Sequence, residues 1–216
     1  MNKLHIFVMV FVFSFIISGC ASPEESIYET VEATAVKEEN FDKQQEPLAE
    51  LEAAEKSLFD KIMALGMKEF DQITKLADEA LVNLDKREEF MKKEKESLDA
   101  SKEELNKATE EINKIKDNEL KKQAEEMQQL MNNRYKTHEQ LYSAYLSGLS
   151  EDRKIYQLIK DKNLKMEDLT DQIEKANQAY ESVFELNSQF NEQTEKLNEA
   201  KIKFYKNAGI NIEKSS

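Results

Sequence analysis

Scarcity is the first property of this 216-residue chain: one cysteine, no tryptophan, two prolines, four glycines and two histidines. A single cysteine excludes an internal disulfide, so folding must rest on packing. So few glycines and prolines leave few turn-forming positions and no Gly-rich phosphate loop, which argues against α/β solute-binding and nucleotide-binding folds. Histidine is equally limiting. His5 lies in the N-terminal stretch, and His138 has Tyr135 three residues before it, where a ferritin-like di-metal helix requires Glu. His138-Glu139 lacks the second histidine of a zinc-protease helix. Asp161 to Gln172 places Met166 and Gln172 where a calcium loop needs Gly and Glu. The inventory therefore predicts no enzyme, no cofactor and no metal site, and its formal charge of −13 makes nucleic acid an unsuitable partner.

What is present begins at the N-terminus. Lys3 supplies a positive start and Ile6 to Ile17 a run of twelve mostly apolar residues, too short to span a bilayer. Ile17-Ser18-Gly19-Cys20 follows, with small residues directly before the lone cysteine. This pattern is a bacterial lipobox: residues 1–19 form a signal peptide, and Cys20 becomes the lipid-bearing first residue, with acyl chains such as palmitate holding the protein to the extracytoplasmic face of the cell membrane. The alternative is an ordinary signal peptide with an incidental cysteine. Cleavage removes Lys3 and no acid, so the mature chain is one unit more acidic than the whole.

Residues 20–22 leave a very short linker, because Ser22-Pro23-Glu24-Glu25 is a helix start: a cap, a first-turn proline and two acids at the positive end of the dipole. Ile27, Val31, Thr34 and Phe41 continue one face. Pro47 marks a kink or restart, after which Leu48, Leu51, Glu55, Leu58, Ile62 and Leu65 run to Gly66. A second helix is expected from about Lys68 to Lys116, with Leu84, Met91, Leu98, Leu105 and Ile112 every seven residues. Asp117-Asn118 breaks it. A third carries Met127, Met131, His138, Tyr145 and Tyr156 as far as Asp161 to Asn163. The last has Leu169, Ala176, Val183, Phe190, Leu197 and Phe204 in strict heptads up to Gly209. The seven-residue period predicts coiled-coil-like packing. Helices of this length would be rods on the order of 65 Å, at 1.5 Å per residue. With short links between them, the expectation is an all-α, elongated, antiparallel up-down-up-down four-helix bundle over residues 23–209, with a C-terminal tail at 210–216. A long dimeric coiled coil is the competing arrangement.

Two features point toward partners. Lysines gather near the turns: Lys61, Lys68, Lys160, Lys162 and Lys165 at one end, and Lys114, Lys116, Lys121, Lys122, Lys201, Lys203 and Lys206 at the other. The first set, with Lys160, Lys162 and Lys165 foremost, is a candidate contact for anionic wall polymers, and the second for lipid head groups. Lysines near helix C-termini also complement the dipole, which needs no ligand. Secondly, Arg87, Glu94 and Ser101 make the middle seam of the second helix polar and mark a candidate groove for a partner helix. His138 reads as a core or boundary histidine, and Asn187, Thr194 and Lys201 as register-setting seam positions.

Several segments carry a resemblance: the lipobox at Cys20, Gln44-Gln45-Glu46-Pro47-Leu48, the run from Leu65 to Ile73, Glu94-Lys95-Glu96-Ser97 and Phe204-Tyr205-Lys206-Asn207-Ala208-Gly209. Together they resemble the YkyA-like cell-wall binding lipoproteins of low-GC Gram-positive bacteria. The resemblance implies a helical bundle, a lipid anchor and association with the envelope, without naming functional residues. Wall polymers are anionic and so is the body, so wall binding must be a local, salt-sensitive contact. The competing functions are a scaffold or regulator docking onto another cell-surface protein, and a passive spacer.

Overall fold

The computed structural model describes residues 22–65 and 69–211. Ile17, Ser18, Gly19, Cys20, Gly66, Lys68 and the last residues of the tail therefore lie outside the described residues. Among those described, the secondary structure is helical: α1 Pro23–Ala64, α2 Phe70–Leu105, the short α3 Ala108–Lys114, α4 Asn118–Ile159 and α5 Met166–Asn207.

The helix ends follow from local chemistry. At the start of α1, the Glu25 N–H donates to Ser22 Oγ (3.2 Å) while the Ser22 N–H donates to Glu25 Oε2 (3.0 Å), a reciprocal capping box. Asp117 Oδ1 opens α4 by accepting from the N–H groups of Glu119 and Leu120, both at 2.9 Å. Gly209, at φ 73°, closes α5 in a Schellman arrangement: the Ile210 N–H reaches the Tyr205 carbonyl (2.9 Å) and the Gly209 N–H the Lys206 carbonyl (3.3 Å).

Two expectations about continuity are corrected. α1 does not restart at Pro47 but passes through it; one lost N–H is tolerated where Gln44 and Leu48 are buried on either side. The expected second helix is instead divided at Asn106-Lys107. There the Lys107 N–H bonds to Glu104 and the Thr109 N–H to Asn106, three residues back rather than four. Tightening the turn in this way keeps Leu105, Ala108 and Ile112 all facing the core.

The chain forms two compact units. One comprises residues 22–42, 96–135 and 192–211, and the other 43–65, 69–95 and 136–191. Each is an antiparallel bundle. In the first, Ser101 of α2 meets Thr34 of α1 and Tyr135 of α4, Arg134 meets Thr194 of α5, and Gln123 meets Asn207. In the second, Asn83 of α2 meets Leu51 of α1, Asp78 of α2 meets Lys160 just beyond α4, and Gln172 of α5 meets Glu151 of α4. Partner numbers fall on one helix as they rise on the next, which is the up-down-up-down order. The heptad residues fill both interiors. Leu84, Met91, Leu149, Leu169 and Ala176 lie in the core of the second unit, and Leu98, Leu105, Ile112, Leu197 and Phe204 are buried in the first.

Candidate functional site: buried polar layers and lysine-bearing turns

Arg87 is the polar centre of the second unit and only 3% exposed. Its Nε donates to Tyr145 Oη (2.8 Å) and its Nη2 to Tyr180 Oη (3.2 Å). Each tyrosine passes the polarity on. Tyr145 donates to Glu52 Oε1 (2.7 Å), Tyr180 donates to Asp152 Oδ2 (2.6 Å), and the Tyr156 hydroxyl bonds Glu55. The same guanidinium stands 3.6 Å from Glu52 and 3.9 Å from both Glu55 and Asp152, with the Tyr145 ring centroid at 5.1 Å. Three carboxylates thus surround one cation, each held by a tyrosine hydroxyl.

The electrostatics follow from that count. Burial works against charge on Arg87, but the tyrosine oxygens and Glu52 outweigh it and hold the guanidinium protonated. Asp152 is pushed up to about 6 by burial, with Glu55 adding to the shift and the Tyr180 hydrogen bond and Arg87 opposing it. Burial also raises the hydroxyls of Tyr145, Tyr156 and Tyr180, so they remain donors. Gly148 makes room for this layer: a Cβ there would stand 2.8 Å from the Tyr180 ring.

The first unit has a counterpart. Arg134 Nη1 pairs with Glu38 Oε2 at 2.7 Å and its Nε donates to Thr194. The Ser101 hydroxyl donates to Glu38 Oε1 (2.8 Å), and Tyr135 Oη lies 2.7 Å from Ser101 Oγ. Nearby Asp42 is pushed up to about 6 by burial and by Glu38, against the pull of Arg134.

These layers overturn the expectation of a polar docking groove on α2. Arg87, Glu94 and Ser101 are all buried, at 3%, 2% and 0% exposure. Glu94 accepts a hydrogen bond from Gln45 (2.8 Å) and lies 3.8 Å from His138 Nε2. Polar seam residues on a long helix can face solvent or face each other. Here each has complementary residues on neighbouring helices, so the seam closes inward. Thr194 takes part in it, Lys201 pairs with Glu32 (3.3 Å), and Asn187 is exposed. Glu52 and Asp152 were not legible as members of the layer, because no heptad position announces them.

The wall-contact candidates lie around the turn between α4 and α5. Lys160 pairs with Asp78 at 2.5 Å, Lys162 stands over the Phe70 ring at 5.1 Å, and exposed Lys165 precedes the first residue of α5. Among the described residues, no three His, Cys, Asp or Glu side chains are placed to hold a metal ion, and no helix is long and apolar enough to cross a membrane.

The class is an all-α bundle protein with ion-paired polar layers buried between its helices. The profile of the YkyA family, described as "Putative cell-wall binding lipoprotein", matches residues 22–207, and the chain belongs to this family. It is 36% identical over 202 residues to "Uncharacterized lipoprotein YkyA" of Bacillus subtilis (strain 168), covering 93% of this chain and 91% of that one. A crystal structure of a conserved protein of unknown function from Staphylococcus aureus shares the fold, with a TM-score of 0.76, 16% identity, and coverage of 84% of this chain and 91% of that one.

Proposed function

We propose that this protein is lipidated at Cys20, held at the extracytoplasmic face of a Gram-positive cell membrane, and binds anionic wall polymer by surface contact rather than by catalysis. The observation that carries this reading is Ile17-Ser18-Gly19-Cys20, the sole cysteine placed two residues before the helix cap Ser22. The family description agrees with it. Lys160 and Lys162 follow the C-terminus of α4, where the helix dipole alone favours cations. Lys165 stands at the N-terminus of α5, where the dipole disfavours them. Glu167 and Asp168 in the same turn offset that cost, and the three exposed lysines together offer the positive surface that an anionic polymer would meet. Such a contact must work against a body whose overall charge repels wall polymer, so it is local and screened by salt.

The reading is tested by mixing the soluble body, residues 22–216, with purified walls that retain or lack teichoic polymer, across a salt series. Saturable sedimentation that weakens with salt and needs the polymer is expected; no sedimentation at any salt refutes the wall ligand. For the anchor, Cys20→Ser should abolish fatty-acid labelling and release the protein from membranes, and a labelled, membrane-bound variant refutes lipidation. A second reading, docking onto another surface protein, has one observation in its favour: Phe184 on α5 is 73% exposed.

A further inference from the structure

α5 is held unevenly within the second unit. Leu169, Gln172 and Ala176 are buried near its start and Phe190 is buried further on, but no residue from 177 to 189 is buried. In that stretch Ala179, Tyr180, Val183 and Leu186 are half-buried, and the others face solvent, Phe184 among them. Among the described residues of the stretch, Tyr180 alone forms side-chain hydrogen bonds to other helices, accepting from Arg87 Nη2 (3.2 Å) and donating to Asp152 Oδ2 (2.6 Å). A segment with so few buried apolar contacts belongs to the low-stability end of a fold, and its polar attachment is concentrated in one side chain.

α4 is shaped to receive that side chain. Tyr145, Gly148 and Asp152, spaced by three and four residues, share one face of the helix. The Tyr145 and Tyr180 rings meet edge to face at 6.2 Å, the Tyr180 ring lies where a Cβ on Gly148 would be 2.8 Å from it, and Asp152 accepts the hydroxyl. The charge of this seat depends on a proton. Arg87 of α2 faces Glu52 and Glu55 of α1 and Asp152 of α4, with Tyr145, Tyr156 and Tyr180 bonded into the layer and Glu151 acting on Asp152 from the next position. Glu52 reaches solvent, whereas the Asp152 side chain is only 12% exposed. Ionised Asp152 therefore adds a buried negative charge that one guanidinium, shared with Glu55, does not balance. A neutral Asp152 still accepts the Tyr180 hydroxyl through its carbonyl oxygen.

We propose that this seat is a proton-operated latch on α5: with Asp152 protonated, Tyr180 is held against α4, and with Asp152 ionised, the stretch from 177 to 189 loosens from the second unit. Asp152 stands at about 6 in the seat against an ordinary 3.8, so the closed form binds the proton more tightly than the open one. Closure is strongest below about pH 4 and weakens as pH rises through 6. With a shift of roughly two units, the open fraction should rise about tenfold between pH 5 and 7.5. The next layer holds a second titratable pair, Glu94 of α2 at 3.8 Å from His138 of α4, with Gln45 of α1 bonded to Glu94 and Phe190 of α5 beside the imidazole.

Hydrogen–deuterium exchange separates the two. The full-length protein in detergent micelles is labelled at pH 5 and 7.5, with times scaled to the intrinsic exchange rate at each pH, and read by mass spectrometry. Peptides from 177–189 should exchange about tenfold faster at pH 7.5, and those from Ala108–Lys114 alike at both. Asp152→Asn, which cannot ionise, should keep 177–189 at the slow rate at both pH values, and His138→Gln should leave the parent's difference in place. Equal exchange of 177–189 in the parent at the two pH values overturns the latch, as does fast exchange at pH 7.5 in Asp152→Asn. A difference that vanishes in His138→Gln also overturns it, by assigning the proton to the neighbouring layer. A rise shared by Ala108–Lys114 does so too, because it reports a general loss of stability rather than release of α5.

Discussion

Replacing Asp152 by Asn isolates the charge imbalance around Arg87. In the folded chain the Asp152 carboxyl is raised from its ordinary 3.8 to about 6 by burial, so the fold binds this proton more tightly than the unfolded chain does. Its stabilising contribution is complete below about pH 4 and is lost as pH rises through 6. Above pH 7 the ionised group costs the fold on the order of 3 kcal/mol, from roughly two pKa units at 1.36 kcal/mol each. Asn cannot ionise, keeps an oxygen for the Tyr180 hydroxyl and offers an amide toward the neighbouring carboxylates. Asp152→Asn should thus melt about 6–12 °C above the parent at pH 8 and at about the parent temperature at pH 4. Thermal unfolding followed by far-ultraviolet circular dichroism at pH 4, 6 and 8 measures the difference between the two proteins, and other titrating groups cancel in that difference. A variant less stable than the parent at pH 8, or displaced equally at all three values, refutes the reasoning.

Removing the cation has the opposite sign. Arg87→Met leaves Glu52, Glu55 and Asp152 facing one another and should cost about 3–5 kcal/mol in urea unfolding at pH 7. Adding Asp152→Asn should recover part of that loss, and strictly additive effects would show that the two residues do not interact. Gly148→Ala presses a methyl group into the Tyr180 ring and should destabilise by about 1–3 kcal/mol. A gain instead, of the size of alanine's helix-propensity advantage over glycine, would show that the ring moves aside freely.

How far this structure was legible in the sequence depends on how local the deciding physics is. The heptads of Leu84 to Ile112 and Leu169 to Phe204 report burial directly, because a side chain every seven residues can face only one neighbour, and all but half-buried Val183 in the second series are buried. Ser22, Asp117 and Gly209 were readable as helix ends because capping is a contact within a few residues. The break at Asn106-Lys107 was not: it arises where the helix must tighten to keep Leu105, Ala108 and Ile112 on one side, a demand of the packed partners. The inward closure of Arg87, Glu94 and Ser101 was equally hidden. Whether a polar seam faces water or an ion pair depends on residues 35 to 65 positions away, such as Glu52, Tyr145 and Asp152, and one helix's periodicity carries no record of them. The lysines were legible as clusters, but that Lys160, Lys162 and Lys165 all fall between the end of α4 and the first residue of α5 required the exact bounds of both helices.

If the turn between α4 and α5 carries the wall contact, reversing its lysines must weaken wall binding where a reversal elsewhere does not. Residues 22–216 carrying Lys160→Glu, Lys162→Glu and Lys165→Glu are titrated against purified walls beside a variant carrying Lys92→Glu and Lys93→Glu. The triple reversal should weaken wall affinity at least tenfold, about 1.4 kcal/mol, while the Lys92 and Lys93 reversal stays near the parent. Equal losses in the two variants would contradict it, showing that overall charge, and not this turn, governs the interaction.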